Sequence, residues 1–139
     1  SHCAPLKQPW NLQVHHLPAD PRWTIYAGYE ESQGYAATQK LLACGDRPDA
    51  ILFASDYQAR GGLIALQEAG LSVPGDVAVI GAGRLLRDKE WPVALTTIDL
   101  HFERIGVAAV ETLSKLIHDP QHVACRQSFA TELILGETA

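Results

Sequence analysis

Short polar clusters in the chain carry the residue types that bind small molecules: Gly28-Tyr29-Glu30, Ser55-Asp56, Gly81-Ala82-Gly83-Arg84 and Asp99. Each follows a short run rich in apolar or β-branched residues, namely WTIYA, AILFA, VAVI and LTTI. Together they offer an aromatic face, carboxylates, a hydroxyl, a guanidinium and glycine backbone. Carboxylates accept from hydroxyls, Arg donates, and a ring covers the apolar face of a sugar or base. Each residue also has a plainer role. Asp56 reads as a helix N-cap with lone pairs left over, Glu30 as first-turn charge, and Tyr29 as an edge of the core. Gly81 and Gly83 match only part of a dinucleotide GxGxxG, and no phosphate-loop Lys-Ser/Thr follows them.

Other chemistry fails on spacing. There is no GxSxG elbow and no localisable Ser-His-Asp set, so catalysis is disfavoured and no cofactor is expected. His15-His16 would point to opposite faces of a strand, which argues against a metal site. Cys3, Cys44 and Cys125 are scattered without a CxxC; Cys44 and Cys125 read as small core residues in a reducing, cytoplasmic protein.

The clusters need elements to position them. Trp23 to Ala27 reads as a strand, Glu30 to Cys44 as a helix closed by Gly45, and Ala50 to Ala54 as a strand buried on both faces. A second helix, Tyr57 to Ala69, starts at Asp56 and is closed by Gly70. Val77 to Ile80 and Leu95 to Ile98 are further strands around a charged loop, 84–94. His101 to His118 is the longest helix, striped with Phe102, Ile105, Ala109, Leu113 and Leu116. A last strand runs through Phe129 to Leu135, and Asn11 to Leu17 is a further candidate for a short strand. The alternation predicts an α/β fold, a parallel sheet with flanking helices. In such a sheet, ligands bind beyond the carboxyl ends of the strands, where the polar clusters fall.

With 139 residues, 47% of them hydrophobic and 19% charged, the chain has room for one globular domain of roughly 150 residues. No apolar run approaches the ~18 residues of a membrane span. A net charge of −5 disfavours a grip on nucleic-acid phosphates. The opening Ser-His-Cys-Ala-Pro has no signal-peptide character and the chain contains no Met, which reads as a fragment. We divide it into an irregular lead-in (1–22), a main lobe (23–100) and a helix with a returning strand (101–139).

The order of Gly34-Tyr-Ala-Ala-Thr38, Arg47-Pro-Asp-Ala-Ile-Leu-Phe-Ala-Ser-Asp56, Ala59-Arg-Gly-Gly-Leu-Ile-Ala-Leu66, Gly70-Leu-Ser-Val-Pro-Gly-Asp-Val-Ala-Val-Ile-Gly81 and Ala94-Leu-Thr-Thr-Ile98 carries more than its pieces. From Tyr29 to Thr138 the chain strongly resembles the effector-binding region of lactose-repressor (LacI/GalR-type) transcription regulators. The resemblance implies a periplasmic-binding-protein-like lobe, the C-terminal subdomain plus a crossover segment. In that family two such lobes close on a small-molecule effector, a sugar or a nucleobase, in a homodimeric regulator whose operator DNA is read by an N-terminal helix-turn-helix. That module and the first lobe are expected to lie outside this chain. The implied effector residues are Tyr29, Glu30, Ser55, Asp56, Gly83 and Arg84. The implied dimer residues are Arg60, Ile64 and Trp91.

Two departures from the family pattern stand out. Gly83 replaces an Asp that takes an effector hydroxyl, and the adjoining Arg84 is placed to donate instead, for example to an acidic or phosphorylated sugar. Arg60 stands where a Leu often packs, and a buried Arg must find an acid, water or an altered interface. The crossover helix, 101–118, is expected to lack its support in this chain. The runner-up is a solute-binding protein of a transporter, which an upstream helix-turn-helix would exclude. An NAD-binding enzyme is a third reading, tested by nicotinamide binding.

Overall fold

The computed structural model describes residues 21–85, 93–119, 121 and 126–139. A 3-10 turn at Pro21–Trp23 is followed by helix α1 (Glu31–Leu42), strand β1 (Ala50–Leu52), helix α2 (Asp56–Glu68), strand β2 (Ala78–Ala82), strand β3 (Thr96–Asp99), helix α3 (Phe102–His118) and strand β4 (Glu132–Ile134). The sheet order is β1-β2-β3-β4. β1 and β2 pair parallel, as do β2 and β3, whereas β4 returns antiparallel to β3 with Ile98 opposite Leu133. The sheet is therefore mixed rather than wholly parallel. An apolar run looks the same in either chain direction, so only the pairing reveals this.

Phe53, Ala59, Leu66, Val77 and Val79 form the buried core, with Leu42, Ile51, Leu63, Leu71, Val73 and Leu95 packed around it. α1 and α2 meet backbone to backbone. A Cβ on Gly34 would overlap the Gln58 main chain, and one on Gly61 would overlap the Glu31 carbonyl. This approach brings the starts of the two helices, Glu30 and Ser55, to the same end of the sheet. Tyr35 donates from its hydroxyl to Glu68 across the pair at 2.6 Å.

Several expectations need correction. Trp23 to Ala27 joins no ladder. It faces β1 across a groove of about 380 Å³ lined by Trp23, Ile25 and Tyr26 with Ile51, Leu52 and Phe53. A β-branched sequence becomes a strand only through a partner's hydrogen bonds, and here the edge stands off. β1 is not buried on both faces: it is an edge strand, and Leu52 is 67% exposed. Cys44 is exposed beyond the end of α1 rather than in the core. The last strand is confined to Glu132–Ile134. The readings placed on residues 1–20 and on Trp91 and Cys125 lie outside the described residues.

No residue of α3 is buried; Val110 and Ile117 are each 68% exposed, and Phe102, Ile105 and Leu113 also face solvent. The stripe expected to lack support within this chain does so. Residues 136–138 lie across the starts of β2 and β3. Thr138 donates from Oγ1 to the Val79 carbonyl at 2.7 Å and accepts from the Thr96 N–H at 2.9 Å. The Gly136 N–H donates to Thr96 Oγ1, and a Cβ there would overlap the Ala94 carbonyl. No helix among the described residues is long and apolar enough to cross a membrane.

Candidate functional site

The polar clusters converge at the carboxyl ends of β1, β2 and β3. Ser55, not Asp56, caps α2: its Oγ accepts from the Gln58 N–H at 3.2 Å and donates to the Tyr29 carbonyl at 3.0 Å. The Ser-x-x-Gln spacing of Ser55 and Gln58 is a capping-box signal that favours Ser over the neighbouring Asp. The Gln58 side chain then ties two segments together. Its Oε1 accepts from the Ala54 N–H at 3.0 Å, and its Nε2 donates to the Gly28 carbonyl.

Asp56, released from capping, is 1% exposed. Its Oδ1 accepts from the Thr97 hydroxyl at 2.6 Å and its Oδ2 from the Leu85 N–H at 2.6 Å. Those bonds compensate the cost of burying a carboxylate. Gly81 makes room, since a Cβ there would overlap Asp56 Oδ1. Asp56 thus holds the loop after β2 against β3.

That loop carries Gly83 and Arg84. Gly83 sits at φ 110° and Arg84 at φ 49°. A non-glycine residue in the left-handed region costs roughly 1–2 kcal/mol, and such strain gathers at functional sites. Arg84 Nη1 donates to Asp99 Oδ2 at 3.0 Å. The His101 N–H donates to Asp99 Oδ1 at 2.7 Å, and the ring Nδ1 lies 3.5 Å from the same oxygen. His101 is left-handed too, at φ 52°. The His101 N–H, followed by the Arg84 hydrogen bond, holds the Asp99 carboxyl below its ordinary value.

Tyr29, Ser55, Asp56, Gly83 and Arg84 are therefore joined by one run of bonds along the strand ends. The Tyr29 ring is 67% exposed beside it. Glu30 is set apart. It caps α1, its N–H donating to Gln33 Oε1 at 3.2 Å. It lines an open groove of about 500 Å³ with Glu31, Ser32, Tyr35 and Ile64. Arg60 has found its acid in the same chain, with Nε 3.1 Å from Glu31 Oε2. Thr97, Gln58 and His101 were not anticipated from sequence. His101 had a usable signal, because an Asp two residues ahead of a helix start commonly accepts from the following N–H.

Helix starts and ordered polar groups thus meet at the carboxyl ends of the parallel strands, and the sequence comparisons give the family of this lobe. The chain belongs to the periplasmic binding protein-like domain family, which it matches over residues 6–139. Within that family it is an effector-binding domain of LacI/GalR type. It is 33% identical over 116 residues to the HTH-type transcriptional repressor PurR of Yersinia pestis, covering 81% of this chain and 34% of that protein. A LacI-type transcription regulator of Bifidobacterium animalis superposes with a TM-score of 0.81 at 26% identity, over 93% of this chain and 46% of that one. The transcriptional regulator CelR in complex with cellobiose gives 0.82 at 26% identity, over 92% and 39%. The chain thus spans about a third of the length of the curated relatives it matches.

Proposed function

We propose that this chain is the sensing lobe of a cytoplasmic, DNA-binding transcriptional regulator that responds to a sugar or related small metabolite without catalysis. The carrying observation is the ordered mouth, where Tyr29, Gly83 and Arg84 stand on a frame held by Ser55 and Asp56. In this reading the Tyr29 ring packs on the ligand and the Gly83-Arg84 turn contacts its polar groups. Asp56 acts on affinity through the Leu85 loop it fixes, while Glu30 lines the neighbouring groove. Similarity to a repressor and to a regulator bound to cellobiose supports the assignment.

The signal is lobe closure. A ligand bridging this lobe and a second one shifts their populations and so the spacing of paired DNA-reading heads. The exposed stripe of α3 is then the face that packs on the second lobe, with 101–139 as the crossover and return. Arg60, Ile64 and Trp91 belong to a homodimer interface, with the Arg60–Glu31 pair at its border. A thermal-shift screen of the full-length protein against sugars, sugar phosphates and nucleobases tests this. At least one compound should raise the melting temperature and change operator binding in a gel-shift assay. Stabilisation by a nicotinamide cofactor instead, or a hit that leaves operator binding unchanged, counts against it.

A further inference from the structure

We propose that Gln58 is a positioning residue for ligand recognition: it fixes the direction of the Tyr29 ring by holding the peptide group in front of it. This rests on the effector-sensing reading above, in which that ring packs on the ligand.

Tyr29 has little else to aim it. Its ring is 67% exposed, so side-chain packing does not set its direction. Residues 27–29 join no strand, and among the described residues their main chain makes no hydrogen bond to the sheet. Peptide groups are rigid planes, so fixing the two planes that flank the Tyr29 Cα fixes the direction in which the side chain leaves the main chain.

Both planes are held, and by the start of one helix. Gln58 Nε2 donates to the Gly28 carbonyl, which lies in the plane before Tyr29. Ser55 Oγ donates at 3.0 Å to the Tyr29 carbonyl, in the plane after it. Gln58 is itself anchored. It is 7% exposed, its Oε1 accepts from the Ala54 N–H at 3.0 Å, and its main chain lies so close to Gly34 that a Cβ there would overlap it. One amide therefore accepts from the end of β1 and donates to the segment that carries the ring. A methionine does neither, a carboxylate only accepts, and a carboxylic acid again does both. A ring placed in advance loses less freedom when a ligand stacks on it.

The experiment uses full-length protein labelled with 3-fluorotyrosine, the Tyr29 fluorine line being assigned with Tyr29→Phe. Spectra are recorded for the parent, Gln58→Met and Gln58→Glu, and each is titrated calorimetrically with ribose and with cellobiose. Gln58→Met, which keeps the volume, should shift the Tyr29 line and weaken sugar binding roughly 5- to 20-fold. Gln58→Glu should do the same near neutral pH. In mildly acidic buffer it should return toward the parent measured alongside, because the protonated carboxyl can donate to Gly28 and burial brings that protonation within reach. A loss of packing alone would not be reversed by a proton. A Tyr29 line that Gln58→Met leaves in place, or a Gln58→Glu defect that mild acid does not relieve, overturns the proposal; sugar binding that persists in that case leaves effector sensing intact. A line that moves and recovers as expected while neither sugar binds supports the placement of the ring and counts against these sugars as effectors.

Discussion

The Thr97 hydroxyl donates to Asp56 Oδ1 at 2.6 Å, across 41 positions of sequence, and joins the end of the sheet to the start of α2. With the Leu85 N–H on the other oxygen, Asp56 meets two donors and no acceptor. Asp56→Asn therefore turns an amide donor toward one of them. It should lower unfolding free energy by about 1–3 kcal/mol and weaken effector binding in the full-length protein. Urea denaturation and calorimetry of the same variant check both effects. Ser55→Ala tests the cap separately, at about 1 kcal/mol. Parent-like stability in Asp56→Asn would refute the buried-lock role.

Gly34 and Gly61 set the distance between α1 and α2. Gly34→Ala or Gly61→Ala must push a helix away from a neighbouring main chain, at about 1–3 kcal/mol. The loss should appear in chemical denaturation. A neutral or stabilising effect at either position would show that the helices are not in backbone contact.

Asp99 gives a pH dependence of known sign. Its folded carboxyl titrates below the ordinary value of 3.8, chiefly through the His101 N–H and then Arg84. Its contribution to stability is present above that value and disappears as pH falls through the lower folded one. Denaturation curves between pH 2 and 7 should show Asp99→Asn less sensitive to acid than the parent. Identical acid limbs would remove Asp99 from the balance.

The stripe on α3 should make this chain associate when it is made alone. Exposed apolar side chains at Phe102, Ile105, Val110, Leu113 and Ile117 form a face that water disfavours. Sedimentation should give a mass that rises with concentration. Val110→Glu with Ile117→Glu should return it to the monomer. A parent monomeric at every concentration would mean that the face tolerates water.

Much of this arrangement is legible in the residues. The order of α1, β1, α2, β2, β3 and α3 follows from apolar periodicity and from turn glycines, each within a few positions. Four features are not local and stay hidden. Apolar AILFA says nothing of which neighbours it has, so β1 reads as central although Leu52 faces out. WTIYA has strand composition, but no ladder forms against β1. Ser55 and Asp56 are adjacent cap formers, and only the position of Thr97 and Leu85, far along the chain, draws Asp56 inward. Similarly, Arg84 was visible as a cation at a strand end, while its bond to Asp99 depends on β2 and β3 lying side by side.

The bonds of Thr138 reach back 42 residues to Thr96 and 59 to Val79. During synthesis, β2 and β3 emerge well before the residue that satisfies their first peptide groups. Until then those groups stand open beside an edge strand, a template for pairing with another nascent chain. Maturation of the sheet is thus delayed to the release of residues 136–138, and contacts of such long range form slowly. A ribosome stalled just short of that segment would display an incomplete sheet, a substrate for chaperones and proteases rather than a slightly weakened lobe.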